Sequence, residues 1–254
     1  MGIKNFLKKV RDKVLDTLFP EYSCYVCGRE LMIPKNHICE LCAKSMRAIS
    51  GNICKKCGMP IPEGNSYCDT CKSRDYAFDT ARACYNYNET SGKIVMDLKY
   101  NKKKFVVPFM ATEMLLKLDE FGVMPDIIIP VPVSKRRYKE RGFNQAELIA
   151  NEISDMTGGK IIVDCTLVEK VIDSTPQARL KGKERIENLR GAFKLTTRKS
   201  LKGKNILIID DVFTTGSTVN EVARVLRTVH PDTINVLTFA KTVKDINLDK
   251  LSTK

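Results

Sequence analysis

The stretch ILIIDDVFTTGST, residues 206–218, decides how the chain folds. Four apolar residues, Ile206 to Ile209, run straight into Asp210 and Asp211, and a loop of Thr, Gly and Ser follows. A short continuous apolar run bounded by turn residues reads as a strand buried on both faces, as in a parallel sheet. One acid directly before a helix would serve as a cap. Here there are two acids, and five loop residues separate them from Ser217. Paired carboxylates at the end of a buried strand, ahead of small hydroxyl residues, call for a ligand.

The flanking sequence carries an α/β alternation. VNEVARVLRTV (219–229) predicts a helix with Val219, Val222, Ala223, Leu226 and Val229 inward, and INVLTFA (234–240) a last strand. Upstream, ARACYNYN (81–88) has strand character. Residues 91–118 show helical spacing at Ile94, Met96 and Leu98 and again at Met110, Met114, Leu115 and Leu118. DIIIPVPV (126–133) predicts a short buried strand and KRRYKERGFNQ (135–145) a basic loop. Asn144 then caps a helix with Ala146, Ile149, Ala150 and Ile153 on one face, closed by Gly158 and Gly159. KIIVDCTLVEK (160–170) predicts another strand, and a charged, Pro/Gly-punctuated segment spans 174–190. Strands alternating with helices make a parallel sheet covered on both faces.

Ligands of such sheets bind at the carboxyl ends of the strands. A loop that opens a helix there offers amide donors and a positive partial charge, which suits a phosphate monoester. Gly216 lets the backbone approach closely, and Thr214, Thr215, Ser217 and Thr218 add hydroxyls. Asp210 and Asp211 beside that phosphate supply acceptors for a vicinal diol. Together these residues describe a seat for a ribose 5-phosphate. The Walker loop requires G-K-[ST] and is not matched.

Eight of the ten cysteines lie between Cys24 and Cys71 in four C-x-x-C pairs, with only Cys84 and Cys165 elsewhere. A secreted scaffold spreads its cysteines through the fold, whereas close pairs are metal-ligand spacing. CYVCGRELMIPKNHICELC (24–42) and CKKCGMPIPEGNSYCDTC (54–71) form an internal repeat, each with two knuckles that complete a four-thiolate zinc tetrahedron. Gly28 and Gly58 fall where such knuckles need positive φ. The tandem arrangement predicts Cys24, Cys27, Cys39 and Cys42 at one Zn²⁺ site and Cys54, Cys57, Cys68 and Cys71 at the other, although the spacing also permits interleaved pairing. His37 reads as a bystander. Four thiolates leave no open position, so both sites are structural.

The 254-residue chain is long enough for one full domain and a smaller module. Its 43 Lys and Arg against 30 Asp and Glu give a formal charge of +13, which favours anionic partners: phosphorylated metabolites, nucleic acid or an acidic membrane surface. Residues 3–19 predict an amphipathic helix with Ile3, Phe6, Leu7, Val10, Val14 and Leu18 on one stripe and lysines opposite. Such a stripe commonly packs on its own protein; contact with the inner face of a membrane is the alternative. Interrupted by charges, it is neither a signal peptide nor a span, and a cytoplasmic protein is expected. Three divisions follow: an amphipathic helix over 1–20, a double zinc ribbon over 21–75 and an α/β domain over 76–254. The basic clusters NKKKF (101–105) and KRRYKER (135–141), with Tyr100, Phe105, Tyr138 and Phe143 beside them, also suit single-stranded DNA.

ILIIDDVFTTGST resembles the phosphoribosyl pyrophosphate (PRPP) motif of type I phosphoribosyltransferases. With PVPVSKRRYKERGFNQAELIA (130–150), TPQARLKGKERIENLRGAF (175–193) and the paired cysteines, nearly the whole chain is similar to the ComF competence family of the ComFC type. The resemblance implies a type I phosphoribosyltransferase-like parallel sheet with flanking helices, joined to a small N-terminal zinc-ribbon module. It also implies a link to DNA uptake and, as partners, DNA-uptake proteins such as a competence helicase. By the same resemblance, Asp210 and Asp211 bind the ribose hydroxyls and Thr214, Thr215, Gly216, Ser217 and Thr218 the 5-phosphate. Ser134, Lys135 and Arg136 meet pyrophosphate, with Arg137 and Arg141 closing over it. Arg179, Arg185 and Arg190 fall where the type I fold keeps a mobile flap over the reaction centre, and Gln177 and Asn188 belong to the same family pattern. Transfer onto a base or amine would require Mg²⁺ with PRPP. Purine-salvage members carry a general-base acid where this chain has Thr214, so 6-oxopurine salvage is not expected.

Overall fold

The computed structural model describes residues 23–31, 38–172, 190–197 and 199–243. The amphipathic helix expected over 3–19, His37, the expected flap residues Arg179 and Arg185, and the family-pattern residues Gln177 and Asn188 lie outside them.

Five strands form one parallel sheet in the order β1-β7-β6-β2-β3. They are β1 (Thr80–Asn86), β2 (Ile127–Pro130), β3 (Ile162–Val163), β6 (Asn205–Phe213) and β7 (Thr233–Lys241). A separate antiparallel hairpin pairs β4 (Val168–Lys170) with β5 (Phe193–Leu195). β6 and β7 lie inside the sheet, and β6 buries apolar side chains on both faces. Leu207 and Ile209 join Leu237 and Phe239 of β7 in a core closed by α3 (Glu89–Tyr100), α4 (Val107–Leu116) and α6 (Gln145–Met156). Ile206 and Ile208 face the opposite core, where α7 (Ser217–Arg227) contributes Val219, Val222 and Leu226 and the hairpin contributes Val168 and Phe193.

The cysteine repeats fold alike. Each opens with a knuckle in which a glycine N–H returns to the first cysteine carbonyl, Gly28 to Cys24 at 2.7 Å and Gly58 to Cys54 at 2.9 Å. Both glycines take positive φ, 73° and 67°. The second pair of each repeat straddles the start of a short helix, α1 (Glu40–Ser45) after Cys39 and α2 (Asp69–Ser73) after Cys68. The repeats divide between the two cores: Cys24 and Ile38 pack in the first, and Cys54, Cys57 and Ile61 in the second. The segment between them runs along the outer edge of β1, where Ile49 N–H donates to Cys84 (2.9 Å) and Asn86 N–H to Arg47 (3.0 Å). The ribbon module thereby covers a sheet edge that would otherwise expose unpaired backbone.

Three expectations are corrected. KRRYKER is not a basic loop but the helix α5 (Lys135–Arg141). Ser134 caps it by accepting from Arg137 N–H, and Gly142 closes it at φ 80°; its long straight side chains favour helix. The strand expected over 160–170 divides into β3 and β4, because Asp164 Oδ1 accepts from the amides of Thr166 and Leu167 and turns the chain between them. Finally, the strand NILIID expected over 205–210 continues as β6 to Phe213, so Asp211 as well as Asp210 lies within it rather than at its close.

Candidate functional site at the strand ends

The carboxyl end of β6 brings together the acid pair, the 214–218 loop and residues from three other elements. Asp211 is buried, and its Oδ2 lies 2.7 Å from Lys99 Nζ. Lys99 comes from the last turn of α3, a helix that starts beside the end of β1 and reaches β6 two strands away, so it passes over the strand ends. Burial alone would lower the Lys99 pKa, but the charges of Asp211 and then Asp210 outweigh it and hold it above the usual lysine value. Asp210 keeps partial access to solvent, and its Oδ1 accepts from Asp211 N–H at 2.9 Å. Surrounding protein first, and then the Asp211 charge, push the Asp210 carboxyl up to about 7 against the pull of Lys99.

Behind the acids, the loop turns on Gly216 at φ 72°, where a Cβ would stand 2.4 Å from Phe213 Cζ. Only glycine fits, on conformation and on space alike. Thr214 is exposed, Thr218 half-buried and Ser217 buried at the first turn of α7. Thr215 and Ser217 share a 2.8 Å hydrogen bond between their hydroxyls. On the ribbon side, Arg74 Nη1 and Tyr76 Oη both donate to the Thr215 carbonyl, each at 3.1 Å.

The residues after β2 form the neighbouring wall. Ser134 is buried as the cap of α5, Lys135 and Arg136 are exposed, and Arg137 is half-buried. Arg136 pairs with Glu140 at 3.3 Å. Arg141 is buried, donates to Gln145 Oε1 at 2.9 Å and lies over the Tyr100 ring, 5.2 Å from its centroid. It is close enough to Lys99 for their charges to oppose. Lys99, Arg74 and Tyr76 escaped the sequence reading. Each lies far in sequence from the strand-end motif, and their only signal was proximity to NKKKF and to the last ribbon cysteine.

The eight ribbon thiols gather into two clusters, Cys24, Cys27, Cys39, Cys42 and Cys54, Cys57, Cys68, Cys71, with all sulfurs of each within 4.8 Å. Cys27–Cys39 and Cys57–Cys68 sulfurs are 3.7 Å apart. A tetrahedron with Zn–S bonds of about 2.3 Å has edges of about 3.8 Å, so both clusters fit zinc and the pairing is sequential. Among the described residues no helix is long and apolar enough to cross a membrane.

Comparison with known proteins finds two family matches. A double zinc ribbon domain family matches residues 14–72, and a phosphoribosyl transferase domain family matches residues 120–251. The chain is 27% identical to competence protein F of Haemophilus influenzae over 88% of its own length and 98% of the relative's. It is 28% identical to competence protein ComFC of Bacillus subtilis, covering 87% and 85%. A DNA utilization protein, YhgH, of Salmonella typhimurium is 28% identical, covering 87% and 97%. Among solved structures, a purine phosphoribosyltransferase from Pyrococcus horikoshii is similar at 17% identity and a TM-score of 0.35, covering 54% of this chain and 82% of that one.

Two predictions follow from the geometry. Lys99→Met strands the buried Asp211 charge and should cost about 3 kcal/mol in denaturant unfolding, whereas Lys99→Met with Asp211→Asn should cost clearly less. A double variant that costs as much as Lys99→Met and Asp211→Asn added together would show that the pair carries no coupling. Elemental analysis should find two zinc ions per chain, and Cys54→Ser should lose one while sparing the other. A single zinc in the wild type would contradict two independent sites.

Proposed function

From a chain that belongs to the phosphoribosyl transferase domain family, joins that domain to a double zinc ribbon and is similar over most of its length to competence proteins F and ComFC, we infer a PRPP-binding protein that supports the uptake of single-stranded DNA. The observation that carries the PRPP reading is the juxtaposition of Asp210 and Asp211 with a glycine-turned loop opening α7. The 5-phosphate takes the amides of 214–218 and the α7 N-terminus. The ribose hydroxyls face the acid pair, with Asp210 as the more accessible acceptor and Asp211 held in place by Lys99. Pyrophosphate lies along the start of α5, near Ser134, Lys135 and Arg136, with Arg137 and Arg141 adding positive charge. With a double zinc ribbon over 21–75 and an α/β domain over 76–254, the residues that touch the ligand in this reading all belong to the α/β domain.

The donor set is compatible with Mg²⁺. Asp210 is a partly accessible carboxylate, and Asp211 is committed to an ammonium. A single such acid suits an ion that keeps most of its ligands as water and phosphate oxygens. Bound with PRPP, Mg²⁺ supplies neutralisation of the pyrophosphate oxygens. Lys99 and Arg141 then keep the acid pair and the leaving-group side balanced in charge, and Thr214 offers no general base. Turnover would therefore need an acceptor that loses its proton readily.

DNA binding is supported by relatives named as competence and DNA utilization proteins, by the +13 charge and by the basic, aromatic-flanked surface of α5 and residues 101–105. Tyr100 and Tyr138 are exposed there, available to stack on bases.

Calorimetry tests the PRPP site. Asp210→Asn with Asp211→Asn keeps the shape and removes the charge, so a folded double variant should lose PRPP binding; undiminished affinity would sink the ribose assignment. Fluorescence anisotropy tests the DNA surface. Each phosphate contact on a single strand contributes about −0.7 to the slope of log affinity against log salt. Substituting Arg136, Arg137 and Lys139 by Ala should flatten that slope by roughly two units. No binding at low salt would leave the basic surface to the metabolite alone.

A further inference from the structure

The second cysteine ribbon ends where the phosphate loop begins, and the contact between them has a specific geometry. Arg74 stands three residues after Cys71, and Tyr76 two further on. Arg74 Nη1 and Tyr76 Oη converge on one acceptor, the Thr215 carbonyl, at 3.1 Å each. Arg74 Nη2 also reaches Ser217 Oγ at 3.4 Å, and Ala77 N–H donates to Asn220 Oδ1 in α7 at 2.7 Å. The guanidinium lies 4.5 Å over the Tyr76 ring, which fixes both donors relative to each other.

Beneath these bonds runs an aromatic column. Tyr76 stacks on Phe78 at 4.7 Å, Phe78 meets Phe213 edge-on at 6.1 Å, and Phe213 underlies Gly216. Lys241, wholly buried at the end of β7, caps the column with its Nζ 3.5 Å from the Phe213 ring centroid. Tyr76 is itself buried, and burial pushes its hydroxyl up to about 12, so it remains a donor.

In a trans peptide the C=O and the following N–H point in opposite directions. Two donors that draw the Thr215 carbonyl toward the ribbon therefore turn the Gly216 N–H away from it, to the open side of the loop. That amide is one of the donors a phosphate at this helix start would use. Without the two donors, the positive-φ turn at Gly216 leaves this peptide plane free to flip, because glycine populates both signs of φ.

We propose that Arg74 and Tyr76 are positioning residues of the 5-phosphate seat, and that the second zinc ribbon is through them a built part of that seat. The proposal rests on the ribose 5-phosphate reading above. It distinguishes the two ribbons: the first docks Tyr25 onto Asp97 of α3, on the opposite core, and among the described residues it has no contact of this kind with the loop.

The test compares ribose 5-phosphate with inorganic pyrophosphate as calorimetric probes of the full chain. Tyr76→Phe removes one hydroxyl and keeps the stack, and Arg74→Ala with Tyr76→Phe removes both donors. The double variant should bind ribose 5-phosphate about tenfold more weakly, with pyrophosphate affinity and the zinc content unchanged. The single Tyr76→Phe variant should show a smaller loss in the same probe alone. Cys71→Ser should reproduce the loss, and adding it to the double variant should weaken binding no further, since both changes act through one contact. A wild type that binds ribose 5-phosphate, with variants that bind equally well, overturns the positioning role. A wild type that binds no ribose 5-phosphate overturns the ligand reading and this role with it. Equal loss for both probes also overturns it, because that is what general loosening of the domain would produce.

Discussion

A carboxylate buried at the end of a parallel strand must be paired, and the pairing of Asp211 with Lys99 at 2.7 Å organises everything around it. Desolvating Asp211 unpaired would cost several kcal/mol. The partner cannot come from β6 itself, so a helix must pass over the strand ends to deliver it. α3 does so, and its path determines the elements next to it. Asp97, two residues before Lys99, is buried and collects Lys93 at 2.9 Å, Lys103 at 3.5 Å and the Tyr25 hydroxyl of the first ribbon. Tyr100, one residue after, carries Arg141 over its ring. One helix thus links the first ribbon, the acid pair and the wall that follows β2.

The ribbons make sense in the same terms. A segment rich in cysteine and poor in apolar residues cannot bury enough surface to order itself, and zinc supplies the missing stability. Once ordered, each ribbon lends its few apolar side chains to a different core, and the chain between them pairs with the outer edge of β1. The module is therefore integrated with the sheet rather than tethered to it. The two attachments differ in consequence: one reaches the helix that holds Asp211, the other the loop that would hold a phosphate.

Much of this was readable in the sequence because it rests on local rules. The four-residue apolar run before Asp210, the inward face of α7, the Asn144 cap and the C-x-x-C pairs each depend on spacing within one element. What escaped depends on distance. Lys99 and Asp211 are 112 positions apart, and no periodicity couples them. Arg74 and Tyr76 reach the Thr215 carbonyl, a backbone atom with no sequence signature, across 141 and 139 residues. KRRYKER is helical for another reason: its residues have high helix propensity, and Ser134 and Gly142 cap and close a helix whose lack of an apolar face leaves no periodicity to mark it. The continuation of β6 through the acids was hidden because Asp disfavours strands, and pairing with β7 from Asn205 to Phe213 overrides that preference.

In the proposed site, one strand end seats the ribose 5-phosphate and another chain segment the pyrophosphate of a single ligand. A crystal structure of the protein soaked with PRPP and Mg²⁺ should show the 5-phosphate within hydrogen-bond reach of the 214–218 amides, the ribose hydroxyls at Asp210 and Asp211, and pyrophosphate at the start of α5. PRPP bound elsewhere, or bound here with its pyrophosphate on the 214–218 loop and its ribose away from the acids, would contradict it.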